Sequence, residues 1–473
     1  MQIKSNDFVS LADIGIANKT QQAAVDYGTT KAYNKRLAAM YEDGEAHGEA
    51  LRAQSAEIKR RALRKLPELL EQAEANMQAN GITVLWAADA TEARAHVLDV
   101  AKKHEVGKVV KSKSMLSEEI ALNDAMIEAG LDVVETDLGE WILQLNDEAP
   151  SHIIAPVIHK DKPSIVEIFR KVGYDGDTDE QTMAAFARKS LREAFLKADM
   201  GVSGGNFIVA ETGTIGLVMN EGNGRMTTSL PNVHVAVVGI EKVVETLDDY
   251  TTLTQMISRA GTGQKLTVYT HMINGPRREN EEDGPEHVYV VLVDNGRSDI
   301  FGTDYAEALA CIRCGACQNA CPVYQSTGGH AYGWVYGGPI GAVVTPLLTG
   351  IENASPLPFA SSLCGACKTA CPVDIDIPRM LLDLRRDLVE NGHSETVYDV
   401  GIKLWGVGMS NPLFYGLGGR AAKIGQKLTG NNLPPPVSNW QHHRDFPEFA
   451  PKPFREVWKE RAQNGKGNNG DQA

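Results

Sequence analysis

Cysteine is absent from residues 1–310 and from residues 372–473 of this 473-residue chain. Disulfide frameworks are typical of short secreted chains, and Met1–Leu11 contains no apolar signal stretch. No run of eighteen or more apolar residues occurs either, which predicts that there is no transmembrane helix. These absences argue against a disulfide-bonded scaffold and against a membrane-spanning protein, and they favour a reducing cytoplasm as the location.

Nucleotide-binding fingerprints are also missing. There is no Walker A sequence, and the glycine-rich segments 213–216 (GTIG) and 337–341 (GGPIG) lack the G-x-G-x-x-G pattern at the start of a helix. The formal net charge of −14 argues against general nucleic-acid binding, which needs a basic surface. We therefore expect no nicotinamide, flavin or nucleic acid on this chain, and we expect any hydride chemistry to belong to another subunit.

The seven cysteines that are present all lie between residues 311 and 371. The first four form a C-x2-C-x2-C-x3-C run with a proline directly behind it, and the last three form a shortened copy that also ends in C-P. A run of this kind is the bacterial pattern for cubane iron–sulfur clusters, in which the fourth cysteine binds the other cluster. Structural zinc sites usually combine two C-x2-C pairs. The spacing therefore predicts two iron–sulfur clusters and an electron-transfer function.

The crossed pattern assigns each thiolate to a cluster. Cluster 1 takes the first three cysteines of the first motif and the last of the second, and cluster 2 takes the remainder: Cys311, Cys314, Cys317 and Cys371 for cluster 1, and Cys321, Cys364 and Cys367 for cluster 2. In the second copy Ser361 stands where the first copy has Cys311. Three interpretations of this vacant corner stay open: Ser361 is a weak ligand of a [4Fe-4S] cluster, the corner is an open iron, or the site holds a [3Fe-4S] cluster.

The composition, with 42% hydrophobic and 23% charged residues, predicts a soluble globular protein of about three domains. Residues 1–75 form a predicted helical N-terminal segment, with helices expected over 21–41 and 51–73 because these stretches are rich in Ala, Leu, Glu and Arg. The basic run KRRALRK (59–65) lies in this pattern, and we interpret it as a solvated helix face.

Between residues 76 and 296, short β-branched runs alternate with helical segments, which predicts a mostly parallel sheet covered by helices. The predicted strands are 82–88, 108–112, 131–136, 152–158, 206–220, 233–239, 265–273 and 287–293, and a long helical stretch occupies 163–200. Residues 304–386 form a second predicted domain. Because a 42-residue spacer separates its cysteine motifs, we expect an α-helical dicluster ferredoxin domain rather than a compact two-cluster ferredoxin.

Residues 387–473 are predicted to form an irregular or helical C-terminal tail. Its segment 401–430 is rich in glycine and aromatic residues, and 433–440 (LPPPVSNW) is a predicted extended linker. The segment 401–430 either packs against the cluster domain or docks on a membrane surface or a partner subunit.

Three further positions could carry chemistry. Glu211 follows the strand-like run 208–210, where open α/β sheets place ligands, so it could bind a polar ligand or act as nucleophile or base. Alternatively it caps a turn in which Gly213 supplies a positive φ. The segment 111–114 (KSKS) either binds an anion or is a solvated loop. His330 either shields the vacant corner of cluster 2 or packs within its loop.

The chain as a whole resembles the lactate utilization protein B family, which belongs to a three-protein system that oxidises L-lactate to pyruvate in bacteria. The resemblance extends from about residue 70 to the Trp440 region. The segments that carry it are VVKSKSM (109–115), ETGTIGL (211–217), LPNVHVAVVGIEK (230–242), CIRCGACQNACPVY (311–324), GGHAYGWVYGGPIGAV (328–343) and SSLCGACKTACPVDIDIP (361–378).

The resemblance implies an α/β domain similar to the sugar-phosphate isomerase and CoA-transferase group, followed by the dicluster domain with the seven ligands given above. It also implies a cytoplasmic electron-transfer subunit that works with the other lactate-utilization proteins. A peripheral position on the inner membrane face, with a quinone-linked acceptor, is an extension of this interpretation. One alternative is a ligand-binding or acyl-transfer protein with structural or redox-sensing clusters and Glu211 as nucleophile. Another is the iron–sulfur subunit of a glycolate oxidase.

Overall fold

Four helices precede the first strand in the computed structural model, which describes residues 3–393, 396–430, 432, 438, 441 and 444–466. They are α1 (Phe8–Ala17), α2 (Lys19–Met40), α3 (Glu45–Arg64) and α4 (Leu66–Ala79). The predicted helix 21–41 is present as α2, whereas the predicted helix 51–73 is divided at Lys65 into α3 and α4. Pro67 lies in the first turn of α4, where its missing N–H costs no hydrogen bond. Gly28 lies inside α2, where the close contact with Ile158 favours a residue without a side chain: a Cβ at this position would come within 2.7 Å of the Ile158 side chain.

A six-stranded sheet forms the centre of the α/β domain, and all of its strand pairs are parallel. Its strands, most of them rich in valine and buried on both faces as parallel strands usually are, occur in the order β1-β10-β7-β4-β2-β3. They are β1 (Thr83–Ala87), β2 (Lys108–Lys111), β3 (Asp132–Glu135), β4 (Met200–Ser203), β7 (Val233–Gly239) and β10 (His287–Val293). The prediction of a mostly parallel sheet is confirmed, although β4 was missed because the predicted helical stretch ran to residue 200.

A smaller mixed sheet adjoins it, in the order β8-β5-β6-β9. Its strands are β5 (Phe207–Val209), β6 (Thr214–Met219), β8 (Val243–Val244) and β9 (Tyr269–Ile273). The predicted strand 206–220 is thus a hairpin. Gly213 turns it with φ +66°, and a Cβ there would lie 2.5 Å from the Met77 backbone nitrogen.

The predicted strand at 152–158 is wrong, because this segment forms turns. His152 Nδ1 accepts hydrogen bonds from the Ile154 and Ala155 backbone nitrogens at 3.2 and 3.1 Å, and Ser151 N donates to Pro156 O at 3.0 Å. The apolar composition favours a strand, but the backbone amides curl around a buried imidazole instead of pairing with a neighbour.

Helices cover both faces of the central sheet and continue into the cysteine region. In the α/β domain they are α5 (Ala90–Lys103), α6 (Met115–Glu119), α7 (Leu122–Glu128), α8 (Leu138–Gln144), α9 (Lys162–Arg170), α10 (Glu180–Leu196), α11 (Asn223–Ser229) and α12 (Leu247–Gly261). The cysteine region contains α13 (Arg297–Phe301), α14 (Ala316–Asn319), α15 (Pro322–Thr327), α16 (Gly338–Thr349), α17 (Ala366–Ala370) and α18 (Ile377–Glu390). One apolar core joins the two regions, since Met40, Leu253, Ile340 and Leu381 belong to the same buried cluster. The prediction that the cysteine region is α-helical is confirmed.

The basic run 59–65 on α3 is not a solvated face, and that prediction is wrong for its first three residues. Lys59 is fully buried and donates to Glu241 O at 2.7 Å. Arg61 Nη2 contacts both carboxylate oxygens of Asp249 at 2.6 Å, and Arg60 pairs with Glu307 at 3.0 Å. Because α12 and the start of the cysteine region pack on this helix, the basic side chains join the domains.

Residues from Gly392 onward form a separate compact unit. It contains α19 (Thr396–Ser410), α20 (Pro412–Thr429) and α21 (Phe454–Lys466), which agrees with the predicted helical tail. Large apolar side chains such as Leu404, Trp405 and Leu413 are exposed within it. Apart from Ser438, the predicted linker 433–440 lies outside the described residues. No helix in the described parts of the chain is long and apolar enough to cross a bilayer.

A histidine buried in the central sheet makes stability depend on pH. Ser203 Oγ donates to Gly204 O at 3.0 Å, so His234 Nε2 donates to that Oγ at 2.8 Å while Nδ1 has no partner within residues 3–393. Burial, together with the charge of His271, lowers the pKa of His234 to about 3. The unfolded chain takes up this proton near pH 6.5 and the folded chain only near pH 3, so acidification favours unfolding.

We expect this histidine to destabilise the fold by up to about 1.4 kcal/mol for each pH unit below 6.5. The melting temperature of the wild-type protein should therefore fall more steeply between about pH 7 and pH 5 than that of the His234→Gln variant. Equal slopes for the two proteins would show that His234 is not the source of the acid sensitivity.

Candidate iron–sulfur centre and adjoining cavity

The two cysteine motifs have the same backbone geometry. In the first, Arg313 and Gly315 have φ values of +59° and +74°, and in the second Leu363 and Gly365 have φ values of +54° and +81°. Left-handed residues at alternate positions curl each loop tightly. The first loop continues into the short helix α14, which carries Cys317, and the second into α17, which carries Cys367. Both cysteines occupy the third cysteine position of a complete motif.

The thiols fall into two groups according to which of them raise one another's pKa. Burial, together with the thiols of Cys371 and Cys311, raises the pKa of Cys314 to about 12. Burial, together with Cys321 and Cys364, likewise raises the pKa of Cys367 to about 12. Including Cys317, whose pKa is raised by burial and by the other thiols of its set, the first group is Cys311, Cys314, Cys317 and Cys371, and the second is Cys321, Cys364 and Cys367.

These groups fit the ligand sets expected of two clusters. A buried thiol whose pKa is raised this far keeps its proton unless a metal cation replaces it. Sulfur donors in sets of four and three suit iron–sulfur clusters. Cys371 stands after the second motif yet lies with the first group, and Cys321 stands in the first motif yet lies with the second, so both motifs contribute to both groups.

Ser361 occupies the backbone position in the second loop that Cys311 occupies in the first. Arg313 N donates to Cys311 Sγ at 3.4 Å, and Leu363 N donates to Ser361 Oγ at 3.1 Å. The hydroxyl oxygen of Ser361 therefore has the same local contact as the thiol of Cys311.

The two thiol groups differ in exposure. In the first group three of the four cysteines are buried, whereas in the second Cys364 is exposed. Phe359, a few residues before Cys364, is 57% exposed, and the Arg385 guanidinium lies 5.0 Å from its ring centroid. The second group therefore has one exposed thiol, Cys364, beside the buried Cys321 and Cys367, whereas the first group has no exposed thiol.

Cationic side chains from α2 and α3 surround the first group. Arg52 donates to Cys371 O at 2.8 Å and to Lys368 O at 2.9 Å. Arg36 is buried and contacts Thr369 O at 3.5 Å, and its Nε has no partner within residues 3–393. Positive charge of this kind stabilises the reduced, more negative state of a cluster and raises its potential.

His330 lies in a packed loop. Its Nε2 contacts Ala149 O at 2.8 Å, and its ring centroid is 4.6 Å from that of His159. These contacts agree with the packing interpretation of His330, and they link the spacer between the cysteine motifs to the loop that precedes α9.

A cavity of about 370 Å³ lies where several strands of the central sheet end. The segments after β2, β4 and β7 line it, together with the end of α12 and residues of the first cysteine motif region. The strand order reverses beside β2, because the chain goes from β2 to β3 on one side and then to β4 on the other. Open α/β sheets bind ligands at such a reversal.

Four cationic side chains line this cavity, and three of them, Lys113, Lys242 and Arg313, have no ion pair within 4.0 Å among the described residues. The Lys113 Nζ and Arg313 Nη1 atoms are buried without a hydrogen-bond partner in the described part of the chain. The Arg313 guanidinium lies 4.4 Å from the Tyr336 ring centroid. Burial lowers the pKa of Lys242 to about 8, and Glu241 opposes this shift.

The fourth cation at the cavity, Arg297, is fully paired. Its Nη1 and Nη2 each donate to Glu119 at 2.9 Å, and its Nε donates to Glu241 Oε2 at 2.7 Å. Tyr336 Oη also donates to Glu119, at 2.5 Å. This buried network joins strand ends β7 and β10 to the spacer of the cysteine domain.

Replacing Arg297 with methionine should destabilise the fold by about 3–5 kcal/mol, because two buried carboxylates lose their countercharge. Denaturant unfolding of the two proteins measures the difference. Arg188→Met changes an exposed arginine on α10 and serves as the matched control. A loss no larger than that of the control would contradict the structural role of this network.

The segment 111–114 is not a solvated loop, so that interpretation is wrong. Lys111 is fully buried, with Glu135 at 2.7 Å, Glu118 at 3.2 Å and Glu140 at 3.9 Å from its Nζ. Burial and the neighbouring charge of Glu135 raise the pKa of Glu140 well above its usual range. Lys113, two residues further on, lines the cavity instead.

Glu211 lies in the exposed turn between β5 and β6, away from the residues that line the cavity. Its Oε2 accepts a hydrogen bond from Leu247 N, at the start of α12, at 3.0 Å. The structure therefore places Glu211 and the seven cysteines in different parts of the molecule.

Sequence reasoning missed Lys242, Arg313 and the network around Arg297. Lys242 follows a predicted buried strand, as ligand-binding residues often do in α/β sheets. Arg313 lies between Cys311 and Cys314, and nothing in the sequence indicates that its side chain lines a cavity.

The fold and the thiol groups define an iron–sulfur protein in which a mostly parallel α/β domain precedes a helical dicluster domain. Three families match: the LUD domain at residues 70–293, the 4Fe-4S dicluster domain at 307–375 and the lactate utilisation protein B C-terminal domain at 386–463.

Proteins named Lactate utilization protein B from Bacillus thuringiensis (strain Al Hakam), Bacillus cereus (strain AH187) and Bacillus anthracis (strain A0248) are each 42% identical to this chain over 472 residues. The alignments cover 98% of this chain and 99% of each relative. The chain therefore belongs to the lactate utilization protein B family, as the resemblance predicted.

A crystal structure of a duf162 family protein from Deinococcus radiodurans also matches. It is 14% identical with a TM-score of 0.28, over 48% of this chain and 98% of that chain. A likeness this weak carries no argument about the fold.

Proposed function

We propose that this protein is the electron-transferring iron–sulfur subunit of a system that oxidises L-lactate to pyruvate. It would hold two clusters, with Cys311, Cys314, Cys317 and Cys371 on cluster 1 and Cys321, Cys364 and Cys367 on cluster 2. Bound clusters would supply one-electron carriers. The observation that carries the proposal is the division of the thiols into two groups, each formed from both motifs, of which the second includes the exposed thiol of Cys364.

The arrangement supports a path with one interior end and one exposed end. Gly261 lines the cavity, and a Cβ there would lie 2.9 Å from Cys314 O, so the cavity wall touches the first cysteine loop. At the other end Cys364 is exposed. Electrons would be exchanged with a partner protein at the surface near Cys364 and with a bound molecule near the first loop.

The partners would be the other proteins of the lactate-utilization system, in the cytoplasm. A peripheral contact with the inner membrane face and a quinone-linked acceptor belong to the same proposal. The exposed apolar side chains of α19 and α20 offer a second contact surface for such a partner. We propose four domains or segments: a helical N-terminal segment at 1–75, the α/β domain at 76–296, the ferredoxin domain at 304–386 and the C-terminal tail at 387–473.

Anaerobic EPR with iron and sulfide analysis tests this function, before and after L-lactate is added with and without partner proteins. Two [4Fe-4S] clusters give about eight irons per chain. Reduction by lactate only with the partners would support an electron carrier, and reduction of this chain alone would place the oxidation here. Protein purified anaerobically without iron and without visible charge-transfer absorption would overturn the proposal.

The acyl-transfer alternative makes a different prediction for Glu211. Under that alternative Glu211→Gln abolishes activity while cluster reduction is unaffected. Under electron transfer it changes neither, because Glu211 Oε2 contacts only the start of α12 among the hydrogen bonds described above. Supplying glycolate in place of L-lactate in the same assay separates the two 2-hydroxy acids.

A further inference from the structure

We propose that the cavity at the ends of β2, β4 and β7 binds a small carboxylate anion, held by Lys113, Lys242 and Arg313. This inference rests on the proposed function, because it names where the carboxylate substrate or product class would sit. It places a ligand site in the α/β domain, beside the first cysteine loop.

Unpartnered donors in the cavity wall are the first argument. Lys113 Nζ and Arg313 Nη1 are buried and have no hydrogen-bond partner in the described part of the chain. Most buried polar atoms in native proteins are paired, and an unpaired one is costly. Oxygen atoms of a bound carboxylate would satisfy both donors with charge-assisted hydrogen bonds.

The neighbouring cations provide an internal comparison. Lys111, on the same strand end, has three glutamates within 3.9 Å, and Arg297 is matched by Glu119 and Glu241. Lys113 has no ion pair within 4.0 Å among the described residues. The buried cations that support the fold are thus in direct contact with carboxylates, whereas Lys113 has Asp137 and Glu221 only as more distant neighbours in the cavity wall.

The charged side chains of the cavity wall leave unpaired donors for an anion. Lys113, Lys242, Arg297 and Arg313 line the cavity, together with Asp137, Glu221 and Glu241. Arg297 is already matched by Glu119 and Glu241, whereas Lys113 Nζ and Arg313 Nη1 have no hydrogen-bond partner in the described part of the chain. These two donors are where a carboxylate would bind.

The shape of the cavity agrees with a small ligand. Its volume of about 370 Å³ is at the lower end of the range for ligand sites. Gly204, after β4, allows the loop after β2 to approach closely, since a Cβ there would lie 2.8 Å from Ser114 Oγ. The two loops that flank the strand reversal thus form one wall.

Binding to the clustered holoprotein, without partner proteins, tests the proposal. Calorimetric titration with L-lactate and with pyruvate gives the Kd, and EPR of the reduced protein reports whether the ligand perturbs a cluster signal. Lys113→Met should weaken binding about tenfold to hundredfold, the range expected for one charge-assisted hydrogen bond. Lys102→Met, at an exposed position near the end of α5, should leave the Kd unchanged.

Lys113→Arg guards against a merely structural effect, because it keeps the charge and should retain binding within about threefold of the wild type. Iron content and the EPR signals of each variant show whether it is folded. Equal affinity of wild-type and Lys113→Met holoprotein for L-lactate and pyruvate would overturn the proposal. Tight binding of inorganic phosphate with no binding of either carboxylate would overturn it too.

The outcome separates this inference from the function on which it rests. Lactate-dependent cluster reduction with the partners, combined with no carboxylate binding to this chain, would refute the cavity site and leave the electron-transfer function standing. Lys113-dependent carboxylate binding to a protein whose clusters are never reduced in the lactate assay would support the site and refute that function.

Discussion

Replacing Cys371 with alanine is expected to remove cluster 1, although Cys371 belongs to the second cysteine motif. Its thiol is buried near Cys311 and accepts a hydrogen bond from Ile375 N, while its backbone carbonyl accepts one from Arg52. Iron should fall from about eight to about four per chain, since one of two [4Fe-4S] clusters is lost. Lactate-dependent reduction with the partners should then lose the signal of that cluster.

The EPR signal that remains in each variant shows whether Cys371 binds the cluster of the first motif, as proposed. Cys311→Ala, in the first motif, and Cys371→Ala, in the second, should leave the same residual spectrum because both deplete cluster 1. Cys364→Ala should leave the other spectrum. If Cys371→Ala instead matches Cys364→Ala, each motif serves its own cluster and the assignment is wrong.

The cysteine loops were predictable because their geometry is local. Two residues between successive cysteines, with Gly315 and Gly365 at positive φ, specify the curl of each loop without help from the rest of the chain. The central sheet was predictable for a similar reason, since runs such as 233–239 and 287–293 each contain four valines and are long enough to be strands. A short pattern sufficed in both cases.

Long-range contacts decided the positions at which the predictions failed. The segment 152–158 has strand composition, yet the His152 ring takes two of its amide hydrogens. Lys59 looks like a surface residue, but the Glu241 carbonyl lies 2.7 Å from its Nζ. The hydrogen bonds of the His152 ring are local, but Ile153 N also donates to Gln318 Oε1 at 3.2 Å, 165 residues away, and Glu241 is 182 residues from Lys59. No periodicity in the sequence reveals either long-range contact.

The cavity shows the same limit at the level of function. Lys113, Lys242 and Arg313 come from three separate segments and meet because the sheet reverses beside β2 and the cysteine domain closes over it. The sequence singled out 111–114 as an anion-binding candidate, and the structure separates its two lysines into a paired one and an unpaired one. Only the fold distinguishes them.

Replacing Ser361 with cysteine is expected to complete cluster 2. Leu363 N contacts Ser361 Oγ as Arg313 N contacts Cys311 Sγ, so a thiol introduced there starts from the geometry of a natural ligand. Thiolate is a far better iron ligand than a hydroxyl, which stays protonated near neutral pH. We expect Ser361→Cys protein to keep about eight irons on exposure to air, and wild-type protein to drop to about seven with an oxidised three-iron signal.

Ser361→Ala separates a weak ligand from an empty corner. If the hydroxyl binds iron, the alanine variant should lose the corner iron faster than the wild type, whereas equal rates would show that Ser361 does not bind it. Identical iron loss in Ser361→Cys and wild-type protein would contradict the match between Ser361 and Cys311. Because Cys364 is exposed beside this corner, we expect oxidants and partner proteins to reach the same site, so that cluster 2 would be both the exchange point for electrons and the place where iron is lost first.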